Sequence, residues 1–444
     1  PRTRGQWHRR TWALAWPTIL ANSSEPLVGV VDTAVVGQLP GATSIGAVAV
    51  GAAIFNFLFW GFGFLRLGTT GFTAQAVGAG DLRMLGASYL RAVLLALGLG
   101  VALVAAQTPV LSLALWAMQG SEQVEALADV YCRWRIWSAP GTFLNYVALG
   151  FLIGAQRPGL ALFVQLTLNL CNIGLDLLFV SSLQWGVSGV AAATLLSQYL
   201  AVAVGLLACR RVLTELGVSL RGHDLFEPRA LLRLLRVNTD LFLRNLGVIL
   251  AFFVFTSTGS QLGDRTLAAN AILIHFQQIM AYGLDGFAFA AQALAGAAYG
   301  AGDRVAFRNA VRTTSQWAAG VALVYMVIYA VAGSSLVQLL SSDPSVREAA
   351  LRLLPWVVLS PLVCVWSFQL DGIFVGTTRT REMRNAMLAS LALYLLALYP
   401  LLSWLDEHGL WLALMGFMLA RAATLMAYYP QLRDSVGASG ATAG

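Results

Sequence analysis

The chain has 444 residues, 58% apolar and only 11% charged, with a formal net charge of +7 and a mean hydropathy of +0.71. Soluble domains carry roughly 25% charged residues, and no soluble core hides this much apolar surface, so the composition excludes a water-soluble protein and makes lipid the solvent. The positive charge does not indicate nucleic acid, because every basic residue is Arg and most lie between apolar runs, where they act as orientation signals.

The basic segment 1–10 opens into an apolar run over 11–36. That run is too long for a signal h-region and lacks a small-residue cleavage site, so it is expected to be a retained helix. Further runs of about 20 residues, the length that crosses a bilayer, fall at 44–67, 86–107, 127–154, 159–181 and 188–209, then at 237–260, 266–296, 310–333, 349–376, 386–405 and 409–429. Twelve transmembrane helices are predicted. The runs are continuous and lack the alternation of a membrane barrel. With a cytoplasmic N-terminus, Arg concentrates in the inside segments, above all 210–236. The outer loops carry Glu122, Glu125, Asp406 and Glu407. Both termini are therefore expected in the cytoplasm.

The two halves resemble each other. Gly78, Gly80 and Asp81 match Gly300, Gly302 and Asp303; Trp134 matches Trp356; Pro140 falls one residue out of register with Pro361; GFLIGAQR (150–157) aligns with GIFVGTTR (372–379). A parallel six-plus-six duplication follows, giving two pseudo-symmetric six-helix bundles: an N-terminal lobe over 1–211, a cytoplasmic linker over 212–232 and a C-terminal lobe over 233–444. Such halves form a cavity at their interface and allow alternating access by rocking.

Intramembrane acids are costly and mark ion paths or cavities. Asp32 lies in the outer half of helix 1, and Asp176 of helix 5 falls at similar depth, with Asn172 one turn below on the same face. Thr194 of helix 6 enters at a comparable level. These oxygens suit a proton or a hard cation such as Na⁺. Two carboxylates close together in low dielectric do not both ionise readily, which is what a proton-coupled carrier needs. Alternatively, Asn172 and Asp176 only join helices by hydrogen bonds. Asn145 and Asn169 add polar groups to the same cavity. Pro17 and Pro26 interrupt helix 1 and predict a bend, either a moving hinge or a static kink. Glu25 shares a face with Asp32 and extends the proton path, pairs with an Arg or lies in a water-filled vestibule. In the second half, Asp240 and Arg244 stand four apart and are expected to pair locally. Asp285 and Asp371 read as a second cavity site or as members of structural hydrogen-bond networks, Asp285 more as the latter, and Arg421 needs an acidic partner. Aromatic and Met residues such as Phe55, Phe57, Trp60, Met280 and Phe287 are expected mostly to pack or face lipid.

Cys132, Cys171, Cys209 and Cys364 are scattered, with no metal spacing or disulfide framework. No HExxH, GxSxG, P-loop or dinucleotide motif is present. Neither an enzyme nor a cofactor is indicated, and without a nucleotide site the energy must come from an ion gradient.

The stretches PLVGVVDTAVVGQL (26–39), FLRLGTTGFTAQAVGAGD (64–81), NIGLDLLF (172–179), LDGFAFAAQALAGAAYGAGD (284–303) and FQLDGIFVGTTRTREMRNAM (368–387) occur in order along nearly the whole chain. In them the chain resembles the multidrug and toxic compound extrusion (MATE) transporters, DinF-type branch. The resemblance implies a V-shaped pair of six-helix lobes in the bacterial inner membrane. It also implies export of amphipathic, often cationic, small molecules against H⁺ or Na⁺, and a monomer suffices for such an architecture. By motif, the family's N-lobe cation site maps to Asp32, Asn172, Asp176 and Thr194, its bending proline to Pro17, and a helix 10 Asp to Asp371. Glu25 departs from the small or apolar residue expected there. The other readings are a major-facilitator carrier, whose loop signature after helix 2 is missing here, a lipid-precursor flippase, and, in a different class, a polytopic lipid-modifying enzyme, which would need a clustered catalytic motif.

Overall fold

The computed structural model describes residues 3–37, 41–118, 120–220, 222 and 225–437, without the side chains of 25–28, 30 and 32. Every regular element among the described residues is helical. Ten helices are long and apolar enough to cross a bilayer: Ala42–Ala79 (span 2), Leu82–Ala105 (span 3), Glu122–Gly154 (span 4), Pro158–Ser182 (span 5), Gly186–Glu215 (span 6), Pro228–Gln261 (span 7), Arg304–Leu340 (span 9), Pro344–Gly376 (span 10), Thr380–Leu405 (span 11) and Glu407–Ser435 (span 12). Two more, Arg4–Val36 (span 1) and Asp264–Gly300 (span 8), complete the predicted twelve. The protein is an all-α integral membrane protein. A short helix, Gln107–Met118, follows span 3 and is too short to cross.

Contacts divide the chain into two compact units: one of Pro1–Ile19, Gly78–Gly80 and Leu235–Gly444, the other of Leu20–Val77 and Asp81–Leu234. Span 1 therefore serves both. Its early residues Trp7, Leu14 and Ala15 join the buried core built from spans 7 to 12. There Trp12 meets Trp317 at 5.1 Å and Phe287 at 6.1 Å between ring centroids. From Leu20 on, span 1 belongs with spans 2 to 6. The segment after span 6 is tied to that second unit, since Arg91 donates to the Leu225 carbonyl at 3.1 Å and lies 3.7 Å from Glu227.

The sequence repeat is also a repeat of geometry. Gly80 and Gly302 adopt φ of +67° and +65°, a left-handed conformation that glycine takes without cost. Asp81 and Asp303 then cap the next helix alike, each carboxylate accepting a backbone N–H three residues on at 2.8 Å. Gly150 of span 4 lies against the Arg66 carbonyl, and Gly372 of span 10 against the Ala288 carbonyl. A Cβ at either would come closer to backbone than real Cβ atoms do. Small residues here let helices approach closely, the usual packing device in lipid.

Candidate coupling site

Span 5 carries the polar groups of the N-terminal half on one face. Gln165, Asn169, Asn172 and Asp176 are all buried, at spacings of four, three and four that align along a helix. Gln165 Nε2 donates to Asn169 Oδ1 at 3.2 Å. Asn169 Nδ2 donates to Ser24 Oγ of span 1 at 2.6 Å. Asn172 Nδ2 donates to Asp176 Oδ2 at 2.8 Å. The Asn172–Asp176 bond thus lies within one helix, not across two, and it stabilises a carboxylate whose residue is 1% exposed. Directly after Asp176 the helix widens into a π turn over Leu177–Ser182, with Leu183 N donating to Leu178 O at 2.9 Å. Such turns recur at functional sites because they re-aim side chains. Span 6 packs on this turn: Ala192 and Ala193 cluster with Phe179. The next residue, Thr194, is buried, and its Oγ1 donates to Val190 O in its own helix at 3.1 Å. Asn145 of span 4 is buried, and its Oδ1 has no hydrogen-bond partner among the described residues.

On span 1, Pro17 is buried within a helix that continues unbroken from Arg4 to Val36. The change from one compact unit to the other, between Ile19 and Leu20, comes just past it. The side chains of Glu25, Pro26 and Asp32 lie outside the described residues, although the backbone there is helical.

The C-terminal half has a different arrangement. The expected Asp240–Arg244 pair does not form. Arg244 instead reaches Asp371 of span 10, and Arg421 Nη2 of span 12 donates to the same carboxylate oxygen at 2.6 Å. Asp240 takes Arg384 Nη1 at 2.6 Å and Thr380 Oγ1 at 3.2 Å, both from span 11. Spacing along one helix named the wrong partners because a guanidinium and a carboxylate on other helices, Arg384 and Asp371, offer charge-assisted bonds instead. Asp371 is thus the centre of a buried Arg–Asp–Arg triad, and Arg421 has its acid. Asp285 is half-buried on span 8, beside the Gly286 that faces Ala15 and Ile19 of span 1. Of the aromatic and Met residues, Phe55, Met280 and Phe287 are core, whereas Phe57 and Trp60 are exposed on the surface.

A model of the MatE family matches residues 17–178 and 241–400, one stretch in each half. The chain belongs to the MATE family. Its relatives include DNA damage-inducible protein F of Escherichia coli, 40% identical over 94% of this chain and 91% of that protein. A probable multidrug resistance protein NorM of Rhizobium meliloti is 28% identical over 72% of this chain and 70% of that one. Among solved structures, a MATE transporter in a bent conformation superposes with a TM-score of 0.87 at 21% identity, covering 99% of this chain and 98% of the other. An outward-facing multidrug resistance MATE transporter gives 0.87 at 22% identity, covering 98% and 97%. The protein is a multi-pass membrane transporter of small molecules, not an enzyme.

Two members of this MATE chain's polar network escaped the sequence reading. Gln165 was legible from its spacing, four residues before Asn169 on the same face. Ser24 and the π turn gave no local signal. Among the described residues no cluster of three or more His, Cys, Asp or Glu forms a metal site. The site's donors are amide, hydroxyl and carboxylate oxygens, which fit a proton or a hard monovalent cation.

Proposed function

We propose that the protein is a secondary active multidrug efflux antiporter of a bacterial inner membrane. It exports amphipathic cationic compounds as a monomer in exchange for H⁺, with Na⁺ as the alternative coupling ion. Asp32, Asn172, Asp176 and Thr194 form the coupling group. The relatives' names, multidrug resistance protein among them, support multidrug export.

One observation carries the coupling site: the Ser24–Asn169 hydrogen bond, which pins span 1 to span 5. As odd-numbered spans of one bundle, both cross the membrane in the same direction. Eight residues beyond Ser24 comes Asp32, and seven beyond Asn169 comes Asp176. At about 1.5 Å rise per residue, the two acids advance to nearly the same depth. Two acids at one level inside lipid raise each other's cost of ionisation, so one proton or one cation between them is the stable loading. A cationic substrate competes for the same charge. Each charge moved along the membrane potential supplies about 2.3 kcal/mol per 100 mV, enough to bias a two-state carrier. Pro17, just before the change of unit along span 1, is where that helix gives way as the site loads.

The test is dye efflux from proteoliposomes under an imposed pH gradient and, separately, a Na⁺ gradient. Wild type is expected to respond to the pH gradient, and Asp32→Asn to be inactive while remaining folded in the membrane. Unimpaired export by Asp32→Asn sinks the site. Export driven by Na⁺ alone replaces the coupling ion but keeps the site.

A further inference from the structure

A cavity of about 430 Å³ opens where spans 7 and 11 begin, lined by Arg236, Asp240, Arg381 and Arg384. It is separate from the span 1 and span 5 network. Its single acid is fully used. Asp240 is 2% exposed and accepts Arg384 Nη1 on one oxygen and Thr380 Oγ1 on the other. Arg384 in turn spends Nε and Nη2 on Asn385 Oδ1, at 3.2 and 3.0 Å. The guanidiniums of Arg236 and Arg381 are exposed, with no ion pair or hydrogen bond among the described residues. The cavity therefore presents two uncompensated cations and a rigid, internally neutral wall.

Large apolar side chains are exposed on the same helices. Leu235 adjoins Arg236 and is 50% exposed, and Leu388, 49% exposed, lies one turn beyond Arg384 on the face that also carries Arg381. A basic cavity at a helix end, on helices that expose apolar side chains, has the polarity of an anionic amphiphile with its head in the cavity and its tail along the helices. Basic cavities between transmembrane helices near the membrane surface are where acidic headgroups bind. We propose that this cavity binds the phosphodiester headgroup of an acidic phospholipid, with Arg236 and Arg381 contacting phosphate oxygens and the Asp240–Arg384 pair holding the cavity open.

The experiment measures lipid retention by native mass spectrometry. Full-length protein in neutral detergent is titrated with phosphatidylglycerol, phosphatidylcholine or inorganic phosphate. Phosphatidylglycerol is expected to bind and phosphatidylcholine to be lost, and phosphate at equal concentration is expected not to displace the lipid. R236Q and R381Q should each weaken phosphatidylglycerol binding about 5-fold, and together roughly 25-fold, as follows from ~1 kcal/mol per interfacial Arg. R229Q, an exposed Arg near the same end of span 7 but outside the cavity, should change binding less than either. Equal loss from R229Q and R236Q would overturn the proposal in favour of diffuse surface attraction. Displacement by phosphate would overturn the lipid assignment in favour of a free anion. Because both guanidiniums are exposed, the double variant is expected to melt like wild type; if it does not fold, the two single variants carry the test, and no loss in either overturns the proposal.

Discussion

In the N-terminal half, span 5 buries Gln165, Asn169, Asn172 and Asp176 along one face. At the matching positions of the repeat, span 11 carries Met387, Leu391, Tyr394 and Leu398. The opposite holds for the charged triad. Arg244, Asp371 and Arg421 of the C-terminal half stand where the N-terminal half has Asn22, Leu149 and Tyr199. Meanwhile the glycine contacts and the aspartate caps are the same in both halves. The duplication preserves what the backbone needs to pack and lets the buried polar chemistry diverge. One half holds a buried carboxylate that accepts an amide N–H from its own helix. The other holds a carboxylate pinned by two guanidiniums.

The sharpest test of this contrast removes one carboxylate from each half. Asp371→Asn leaves two guanidiniums facing a neutral amide, and breaking a buried ion pair in this way costs about 3–5 kcal/mol. We expect a large fall in melting temperature in detergent. Asp176→Asn keeps an acceptor for Asn172, so the protein should melt close to wild type while export is lost. If the two variants melt alike, the division into a fold-bearing and a transport-bearing carboxylate fails.

The shared scaffold is tested by Gly150→Ala and Gly372→Ala. Each added methyl is forced against a carbonyl of the neighbouring helix, and overpacking of this kind costs about 1–3 kcal/mol. The two losses, read from thermal unfolding, should be similar. A large loss in one half only would show that the repeat of sequence is not a repeat of packing.

The smallest effect concerns the caps of spans 4 and 10, which also correspond. Ser121 Oγ accepts from Val124 N at 3.4 Å. Asp343 Oδ1 accepts from Ser345 N at 2.7 Å and from Val346 N at 3.3 Å. The hydrogen bond from the Ser345 hydroxyl, aided by those two N–H groups, holds the Asp343 carboxyl below the usual carboxylate range. Its folded pKa is thus depressed. The stability it contributes is full above the ordinary carboxylate pKa and is lost as pH falls through the folded value. Asp343→Ser should remove that acid-side slope from the unfolding profile, whereas Ser121→Ala should lower stability by the same amount at every pH.

Much of this was legible in the residues themselves. The twelve runs, the repeat and the shared face of Asn172 and Asp176 follow from hydropathy and spacing along a chain. Asn169 was read as a cavity group; its bond to Ser24 of another helix had no signal in the sequence. Asp240 and Arg244 show the limit. At four residues apart they are neighbours on a helix, yet each is claimed by a residue more than a hundred positions away. Local spacing yields only a weak, solvent-screened attraction, and in a low-dielectric interior a well-aligned guanidinium from another helix outweighs it.

Apolar length and glycine placement, properties of consecutive residues, determined that the chain lives in lipid as twelve helices in two related halves. Which arginine holds which acid of the C-terminal half was decided only when spans 7, 10, 11 and 12 came together. A buried charge is governed by the groups within a few ångströms of it, and those come from distant parts of the chain.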